Sequence, residues 1–230
     1  MDEALLERLR QVDTPTVCNA IERVQGSRDF DRYTRTTMIS SAPDAPAIVG
    51  YARTARVSAR RPEENAEALR NRRLDYYRYM AGGPRPGIVV IEDVDVPDVL
   101  GAWWGELNAT IHRGFGFAGA VTNGVMRDLG DLPEGFVVIA GTVLPSHGFV
   151  HVLDVNTRVR VFGLDVSPGE LIHADRHGAV VIPEGVIDGL ADGIAGCLAS
   201  ERILLEPARR EDFDLAAFEA AFANMERSRN

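Results

Sequence analysis

Hydrophobic residues recur along this chain with two different periods, and the period indicates which element each segment forms. An apolar position every three to four residues is typical of an amphipathic helix, whereas alternation or a short continuous apolar run is typical of a strand. The segments with helical spacing are residues 3–12, 13–26, 62–82, 103–114, 184 to about 205, and 214 to about 227. The strand-like segments are residues 47–59, 87–94, 118–124, 136–141, 151–155, 157–166 and 178–183.

Turn-forming residues bound several of these segments. Thr14 is placed to cap the second helix, with a proline in its first turn, and Gly26 is placed to end it. The glycine-containing sequences at residues 167–169 and 177–178 predict turns between strands. Residues 27–46 follow neither period, which predicts a long surface loop of the kind that is functional or mobile.

The order of the elements indicates the fold class. Helices and strands alternate in the first part of the chain, a run of strands occupies about residues 150–183, and two helices follow. This order predicts a single α/β domain over residues 1–230, with sheets packed together and helices outside. It does not fit a plain doubly wound sheet.

Composition and charge narrow the classes of ligand. The 230 residues are 45% hydrophobic and 26% charged, which is typical of a soluble globular protein. Acidic residues outnumber basic ones by 34 to 25, so the net charge is −9 and the chain lacks the broad basic surface that nucleic acid requires. A small anionic substrate would need a local exception to this negative field.

The N-terminus and the cysteines bear on location. Residues 1–12 are acidic and amphipathic, without the basic start and apolar run of a secretory signal, and the chain has no apolar run long enough to span a membrane. Cys18 and Cys197 lie in apolar helical contexts without CxxC spacing, so we expect them to be buried in a reducing compartment. These patterns predict a cytoplasmic protein that does not enter membranes.

The basic residues are all of one type. Each of the 25 is arginine, and the chain contains no lysine. Schiff-base chemistry, with a carbonyl substrate or with pyridoxal phosphate, needs a lysine amine. A Walker-type phosphate loop also needs a lysine. All three are therefore excluded.

Residues 114–119 carry glycines at the spacing of a dinucleotide-binding loop. Such a loop works when a strand precedes the glycines and a helix N-terminus follows them, directed at the pyrophosphate. Here the helical segment 103–114 precedes the glycines and the strand-like segment 118–124 follows. We therefore interpret these glycines as a helix stop and a tight turn.

Charged residues flank this reversal. Glu106 lies at the start of the helical segment, and Arg127 and Asp128 follow the strand, with twenty residues between Glu106 and Arg127. If the two elements run in opposite directions, these residues meet, and two carboxylates beside an arginine suit a hard divalent cation and an anionic substrate. The backbone amides of Leu107 and Asn108 could bind a substrate carboxylate. The alternative is a glutamate that complements the helix dipole and a solvated Arg-Asp turn.

This arrangement resembles the signature of metal-dependent 4-hydroxy-4-methyl-2-oxoglutarate aldolases of the RraA-like family. The signature consists of an acidic residue, a twenty-residue gap and an Arg-Asp pair, which here lie in GEL at 105–107 and NGVMRD at 123–128. Weaker similarity in TPTVCNAIERV, VGYARTARV, PGIVVIED and VSPGELIHADRHGAVVIP extends the resemblance over most of residues 13–185. The resemblance implies a compact β/β/α, swivelling-domain-like fold with flanking N- and C-terminal helices, the latter at about 184–227. It also implies a homotrimer or homohexamer with active sites near subunit interfaces.

The resemblance also implies roles for individual residues. Asp128 would bind Mg²⁺ or Mn²⁺, and Glu106 would hold a metal-bound water. Arg127 would contact the keto oxygen of the substrate, and the amides of Leu107 and Asn108 would hold the pyruvyl carboxylate. Family members that only regulate ribonuclease lack the acidic residue at the position of Glu106, which this chain has.

The implied chemistry agrees with the composition. Cleavage of the bond beta to a keto group leaves a pyruvate enolate, whose charge needs a lysine iminium or a metal ion, and this chain has no lysine. Arg127 would add a fixed positive charge at the developing enolate oxygen. Decarboxylation of oxaloacetate passes through the same enolate and is expected as a side reaction. The sequence does not assign the general base, for which a water held by Glu106 is one candidate.

Histidine, tryptophan and arginine pairs offer further candidates. Two histidine pairs have a spacing of four residues, but in strand-rich sequence such a pair is too far apart to chelate one ion. Among these four histidines, His147 is a candidate substrate-binding or acid–base residue. The two adjacent tryptophans either line a pocket or pack in the interior, and the alternating arginines predict a solvated face or a subunit contact. The pairs are His147 with His151, His173 with His177, Trp103 with Trp104, and Arg158 with Arg160.

The leading hypothesis is a divalent-metal-dependent lyase that acts on a small anionic 2-keto acid and releases pyruvate or a related product. One alternative is a non-catalytic, ring-shaped protein that binds a partner such as a ribonuclease. Another is a hydratase or tautomerase that uses the same metal site on a different keto acid, with His147 involved.

Overall fold

The computed structural model describes residues 2–229, with side chains described through residue 227. The chain divides into two compact units. The first comprises the residues up to 14 together with 31–184, and the second comprises 15–30 and the residues from 185 onward. The prediction of one domain over the whole chain, with a core at 13–185, stays a prediction.

Helices and strands alternate in the first part of the chain, as the hydrophobic pattern predicts. The helices are α1 (Glu3–Arg10), α2 (Thr14–Gln25), α3 (Ala66–Ala81), α4 (Glu106–Gly114), α5 (Ile187–Ala208) and α6 (Leu215–Arg229), with a 3-10 turn at Glu184–Val186. The strands are β1 (Ile39–Ser40), β2 (Ile48–Ser58), β3 (Gly87–Asp93), β4 (Phe117–Thr122), β5 (Val125–Met126), β6 (Val137–Ala140), β7 (Thr142–Val143), β8 (His151–Val155), β9 (Val159–Val161), β10 (Leu164–Val166), β11 (Leu171–Asp175) and β12 (Gly178–Ile182).

The first unit is built on an eight-stranded mixed sheet. Its strand order is β1-β6-β4-β3-β2-β11-β12, and β8 also pairs with β2. The central strands β2, β3, β4 and β6 are parallel, and the outer strands are antiparallel to their neighbours. Because successive side chains of a strand point to opposite faces, Ile88 and Val90 enter one core cluster while Val89 and Ile91 enter the other. Burial on both faces explains why β3 is a continuous apolar run.

The second of these clusters supports the candidate site. It contains Tyr76 and Met80 of α3, Ala109 of α4, and Trp104, all with no exposed surface. The α3 and α4 side chains therefore pack on the same face of the sheet, and residues at the start of α4 rest on a rigid base.

Three expectations for the strand-rich regions are wrong. Residues 27–46 are not entirely loop, because Ile39–Ser40 forms the edge strand β1 and pairs with β6; two residues are too few to show a period. The segment 157–166 is a hairpin of β9 and β10, since Phe162 and Gly163 have φ values of 50° and 80° and turn the chain. Residues 171–175, where no strand was expected, form β11 between β2 and β12.

Smaller corrections concern helix boundaries and buried polar groups. Thr14 is the first residue of α2 rather than its cap, and its hydroxyl lies 3.1 Å from Nδ1 of His173. The helix α3 begins after Asn65, whose side-chain oxygen accepts a hydrogen bond from the Ala68 amide at 2.9 Å. The two cysteines lie on helices as expected but are half-buried, not buried.

The second unit consists of helices. The helix α5 approaches α2 closely at Gly193, where an added β-carbon would lie 2.9 Å from Val24 Cγ2 and 3.0 Å from the Ala20 carbonyl oxygen. Glycine is therefore the residue that permits this contact. Across the residues that the structure describes, none of the helices combines the length and apolar character needed to cross a bilayer.

Candidate active site

The first turn of α4 lies at the centre of the site. Gly105 precedes the helix in extended backbone and supplies no side-chain cap, so the first amides of α4 have no acceptor within the helix. The Glu106 amide donates to Asp128 Oδ2 at 3.1 Å. The amides of Leu107 and Asn108 remain at the positive end of the helix dipole, where a carboxylate binds favourably.

The strand β5 returns the Arg-Asp pair to this turn. The Arg127 amide donates to the Trp104 carbonyl oxygen at 2.9 Å, and Met126 forms a β-bridge with Trp104. Arg127 Nε lies 3.6 Å from Asp128 Oδ2. The structure therefore brings Arg127 and Asp128 to the start of α4. It does not bring the Glu106 carboxylate into the cluster: that side chain is exposed and contacts no hydrogen-bond or ion-pair partner among residues 2–229.

Close packing fixes the position of the Asp128 carboxylate. A β-carbon at Gly105 would lie 2.5 Å from Asp128 Oδ2 and 3.1 Å from Arg127 Cγ, so only glycine leaves room for this side chain. Asp128 itself adopts a left-handed backbone with φ of 57°, which aspartate and asparagine tolerate better than most residues. The sequence GEL and the pair Arg-Asp are thus linked by a steric requirement.

A buried hydrogen-bond network holds Asn108. Its Nδ2 donates to the Trp103 carbonyl oxygen at 2.6 Å, and its Oδ1 accepts from the Tyr77 hydroxyl at 2.7 Å. Its carbonyl oxygen accepts from His112 Nδ1 at 2.6 Å. These bonds tie the first turn of α4 to α3, which orients the amides that precede the network.

His112 is the deepest member of this network. The ring has no exposed surface, and its Nε2 lies 2.7 Å from the Tyr76 hydroxyl. Burial lowers the pKa of His112 to about 4, so the ring is neutral at physiological pH, with Nδ1 as donor and Nε2 as acceptor. Sequence reasoning missed this residue; its position one helical turn after Asn108 was the available signal.

A pocket of about 570 Å³ opens beside the first turn of α4. Gly105, Leu107, Asn108 and Trp103 form part of its lining. The charged and titratable lining residues are all arginine or histidine, and among the described residues that line the pocket none is aspartate or glutamate. They are Arg70, Arg73, Arg127, His147 and His151.

The segment that precedes α4 places His147 beside the first turn of that helix. The Ala102 amide donates to the Ser146 carbonyl oxygen at 2.9 Å, and Gly101 passes so close to the His147 backbone that a β-carbon would clash with it. The His147 ring donates from Nδ1 to the Gly148 carbonyl oxygen at 2.8 Å. A neutral His147 therefore keeps its unprotonated nitrogen, Nε2, available to a ligand.

The two histidine pairs differ in their surroundings. His147 and His151 both line the pocket. His173, in contrast, is fully buried, with Nε2 3.0 Å from the Leu9 carbonyl oxygen, and His177 is exposed and lies 3.1 Å from Asp175. The second pair ties the N-terminal segment and a turn to the sheet.

The remaining candidates have mixed roles. Trp103 is buried and also lines the pocket, whereas Trp104 is entirely interior. Arg158 and Arg160 lie 3.1 and 3.7 Å from Asp165 on the β9–β10 hairpin, with more than 60% of each side chain exposed. Both arginines are therefore exposed in the single chain, and the choice between a solvated face and a subunit contact stays a prediction.

The donor groups around Asp128 fit one kind of metal ion. Within residues 2–229, no group of three or more His, Cys, Asp or Glu side chains is close enough to hold an ion by itself. The Asp128 side chain is 30% exposed, and only its Oδ2 contacts the Glu106 amide and Arg127. A single accessible carboxylate suits Mg²⁺ or Mn²⁺, which are bound through one or two carboxylates and retain several waters.

Comparison with known proteins shows the family. The family model described as RraA-like, Aldolase/RraA, matches residues 14–181, and the chain belongs to this family. A protein of Halalkalibacterium halodurans named "Putative 4-hydroxy-4-methyl-2-oxoglutarate aldolase" is 26% identical over 188 residues, which cover 80% of each chain.

Solved structures show the same fold. An uncharacterized protein from Pseudomonas syringae pv. tomato superposes with a TM-score of 0.72 at 18% identity, covering 97% of this chain and 95% of that one. Streptomyces coelicolor RraAS2 superposes with a TM-score of 0.66 at 19% identity, covering 91% and 98%. The predicted RraA-like α/β fold is therefore confirmed.

Proposed function

We propose that this protein is a divalent-metal-dependent carbon–carbon lyase for small 2-oxo acids. Its reactions would be retro-aldol cleavage of 4-hydroxy-2-oxo diacids, decarboxylation of oxaloacetate, or both. The observation that carries the proposal is the return of Arg127 and Asp128 to the Gly105–Glu106 turn, beside a pocket whose charged lining residues are cationic. The name of the Halalkalibacterium relative supports the same reaction class.

The substrate's 2-oxo acid group fits the start of α4. Its carboxylate would accept hydrogen bonds from the amides of Leu107 and Asn108, which the Tyr77 and His112 hydrogen bonds hold in place. Arg127, which also lines the pocket, would lie at the 2-oxo oxygen. Negative charge grows on that oxygen as the carbon–carbon bond breaks, and a fixed guanidinium stabilises it without reorganisation.

Asp128 would hold a Mg²⁺ or Mn²⁺ ion, and the exposed Glu106 carboxylate would hold a water of its hydration shell. The bound cation would supply further positive charge at the 2-oxo oxygen. The chain has no lysine to supply that charge as a Schiff base. Gly105 keeps the Asp128 carboxylate against the start of α4, so the cation and the substrate would share one corner of the pocket.

The proton balance of the retro-aldol reaction needs a base at the 4-hydroxyl. We assign His147 Nε2 as this base, because the ring lines the pocket and its Nδ1 is already a donor to Gly148. The hydroxyl proton moves to Nε2, a carbonyl forms at C4, and the electrons of the C3–C4 bond pass to the enolate of pyruvate. The imidazolium then gives up its proton, directly or through water, and C3 of the enolate gains one, which completes the pyruvate product and regenerates the neutral base.

Pyruvate release tests the proposal. Purified protein with Mg²⁺ or Mn²⁺ is expected to release pyruvate from oxaloacetate or from 4-hydroxy-4-methyl-2-oxoglutarate, and to lose this activity after chelation with EDTA and regain it when the metal returns. Absence of pyruvate from both substrates with either metal would refute the lyase.

Two alternatives are outcomes of the same experiment. Streptomyces coelicolor RraAS2 is described as an unusual member of the RNase ES inhibitor RraA protein family, so an inactive chain that binds a ribonuclease would be a regulator. A product other than pyruvate, identified by mass spectrometry, would indicate a hydratase or tautomerase. The homotrimer or homohexamer and the cytoplasmic location stay predictions, and light scattering tests the former.

A further inference from the structure

Two arginines on one helix line the pocket without an ion-pair partner among the described residues. Arg70 and Arg73 lie three residues apart on α3, so they project from the same side of the helix. Neither takes part in an ion pair or hydrogen bond with another residue that the structure describes. Their neighbours on the helix behave differently: Arg72 lies 2.8 Å from Glu64, and Arg78 lies 2.6 Å from Asp75.

The pair lies in a chain whose net charge is −9. With 34 acidic residues against 25 basic ones, an exposed arginine has many carboxylates to pair with. The pocket excludes them, since its described lining has three arginines, two histidines and no acidic residue. This is the local exception to the negative field that a small anion requires.

The arginines belong to a different helix from the groups that would hold the first carboxylate, but they line the same cavity. Arg73 is one helical turn before Tyr77, whose hydroxyl bonds to Asn108 at the start of α4. The Arg73 guanidinium carbon also lies 5.5 Å from the centre of the Trp103 ring, which holds the side chain along the pocket wall. A cavity of about 570 Å³ has room for a ligand that spans from α4 to α3.

We propose that Arg70 and Arg73 form a second anion subsite that binds the distal carboxylate of a dicarboxylic 2-oxo acid. The inference rests on the proposed function for the position of the first carboxylate. An arginine fork matches a carboxylate with two parallel hydrogen bonds, and charge-assisted hydrogen bonds of this kind are among the strong ones in proteins. The subsite makes these two residues determinants of specificity, not of the bond-breaking step.

Calorimetric binding of two probes tests the subsite without turnover. In the presence of Mg²⁺, 2-oxoglutarate is compared with 2-oxopentanoate, which has the same chain length but a methyl group in place of the distal carboxylate. We expect the wild-type protein to bind 2-oxoglutarate more tightly by roughly tenfold or more. Arg73→Gln and Arg70→Gln should each reduce this preference severalfold, and the double variant should abolish it.

Matched variants separate the subsite from general charge. Arg78→Gln removes the same charge from the same helix outside the pocket, and it should keep the wild-type preference. Arg73→Lys keeps the charge but loses the fork, so it should retain only part of the preference. Binding of 2-oxopentanoate should stay unchanged in all variants, which shows that the first carboxylate site is intact.

The results distinguish failure of this inference from failure of the proposed function. Equal binding of the two probes by the wild-type protein, no detectable binding of 2-oxoglutarate at millimolar concentration, or a preference that survives the double substitution would each overturn the subsite. A protein that prefers 2-oxoglutarate through Arg70 and Arg73 but releases no pyruvate from any substrate would retain the subsite and refute the lyase.

Discussion

The two sides of the pocket are held in different ways. On the α4 side, polar groups bond to one another: Asp128 accepts from the Glu106 amide, and Asn108 bonds to Tyr77 and to the Trp103 backbone. On the α3 side, Arg70 and Arg73 have no acidic partner among the described residues. The α4 groups are fixed by hydrogen bonds, whereas the two α3 guanidinium groups keep their hydrogen-bond donors for a ligand, and Arg73 also packs against the Trp103 ring.

This difference assigns different roles in catalysis and in substrate selection to the two sides of the pocket. Groups fixed in advance stabilise developing charge without reorganisation, so they suit the step common to all substrates. Side chains without an ion-pair partner lose conformational freedom when they bind, and this cost is offset only by a ligand that supplies the matching charge. We therefore expect changes on the α4 side to affect every substrate, and changes on the α3 side to affect one class.

The largest expected effect comes from removing the charge at Asp128. Asparagine keeps the size of the side chain, tolerates the left-handed backbone, and can still accept the Glu106 amide. Asp128→Asn should therefore leave the fold intact while it lowers kcat/KM by roughly a thousandfold for every substrate, because it removes the carboxylate proposed to hold the cation. Steady-state pyruvate release measures this loss.

Asp131→Asn is the matched control for this substitution. Asp131 is exposed, and its amide donates to the Asp128 carbonyl oxygen, so the same charge is removed nearby without touching the Asp128 carboxylate. Activity of Asp131→Asn should stay within about twofold of wild type. Comparable activity in the two variants would break the assignment of the α4 side to the common chemical step.

The next expected effect is on the pH dependence of stability and comes from His112, the buried residue that supports the α4 side. Burial lowers the pKa of His112 to about 4, below an ordinary histidine value of about 6.5. The unfolded chain therefore binds more protons in this range, so the His112 contribution to stability is fully present above about pH 6.5 and is lost as the pH falls toward 4. That contribution amounts to about 3 kcal/mol in the free energy of unfolding.

A buried carboxylate masks this trend in the wild-type protein. Burial raises the pKa of Asp93 to about 6, so its contribution has the opposite sign and is lost as the pH rises from about 4 to 6. The two contributions nearly cancel, and only a difference between variants resolves them. The destabilisation caused by His112→Gln should shrink by about 3 kcal/mol between pH 7 and pH 4, measured by urea unfolding. A destabilisation that is the same at both pH values would contradict a neutral buried ring.

The α4 side was largely predictable from sequence, because it depends on local patterns. The change from helical to strand period around residues 114–118 places Arg127 and Asp128 opposite Glu106, and the structure shows that reversal. The role of Gly105 was not predictable, since it depends on the distance between a backbone and a side chain more than twenty residues away. Nor was the exposed position of the Glu106 carboxylate, which helix spacing alone does not define.

The α3 side was not predictable for a physical reason. The helix carries several arginines, and their spacing does not distinguish Arg70 and Arg73, which line the pocket, from Arg72 and Arg78, which pair with acidic residues. The distinction depends on which carboxylates the tertiary fold brings near each guanidinium. The same limit applies to β11, whose short apolar run does not indicate its partners β2 and β12.

The smallest expected effect is on the turnover of one substrate class and comes from His147, which lies on neither α3 nor α4. His147→Gln removes the base proposed for the 4-hydroxyl proton, so it should lower kcat for retro-aldol cleavage by roughly a hundredfold, the lower end for general acid–base catalysis. Oxaloacetate decarboxylation has no hydroxyl proton to transfer and should change by less than about threefold. His151→Gln is the control, because His151 also lines the pocket and bonds to a backbone carbonyl through Nδ1, but it borders a second recess beside Glu64. If His147→Gln slowed both reactions equally, His147 would belong with the α4 side as a general support of the site, and the division between the common step and substrate-specific groups would need to be redrawn.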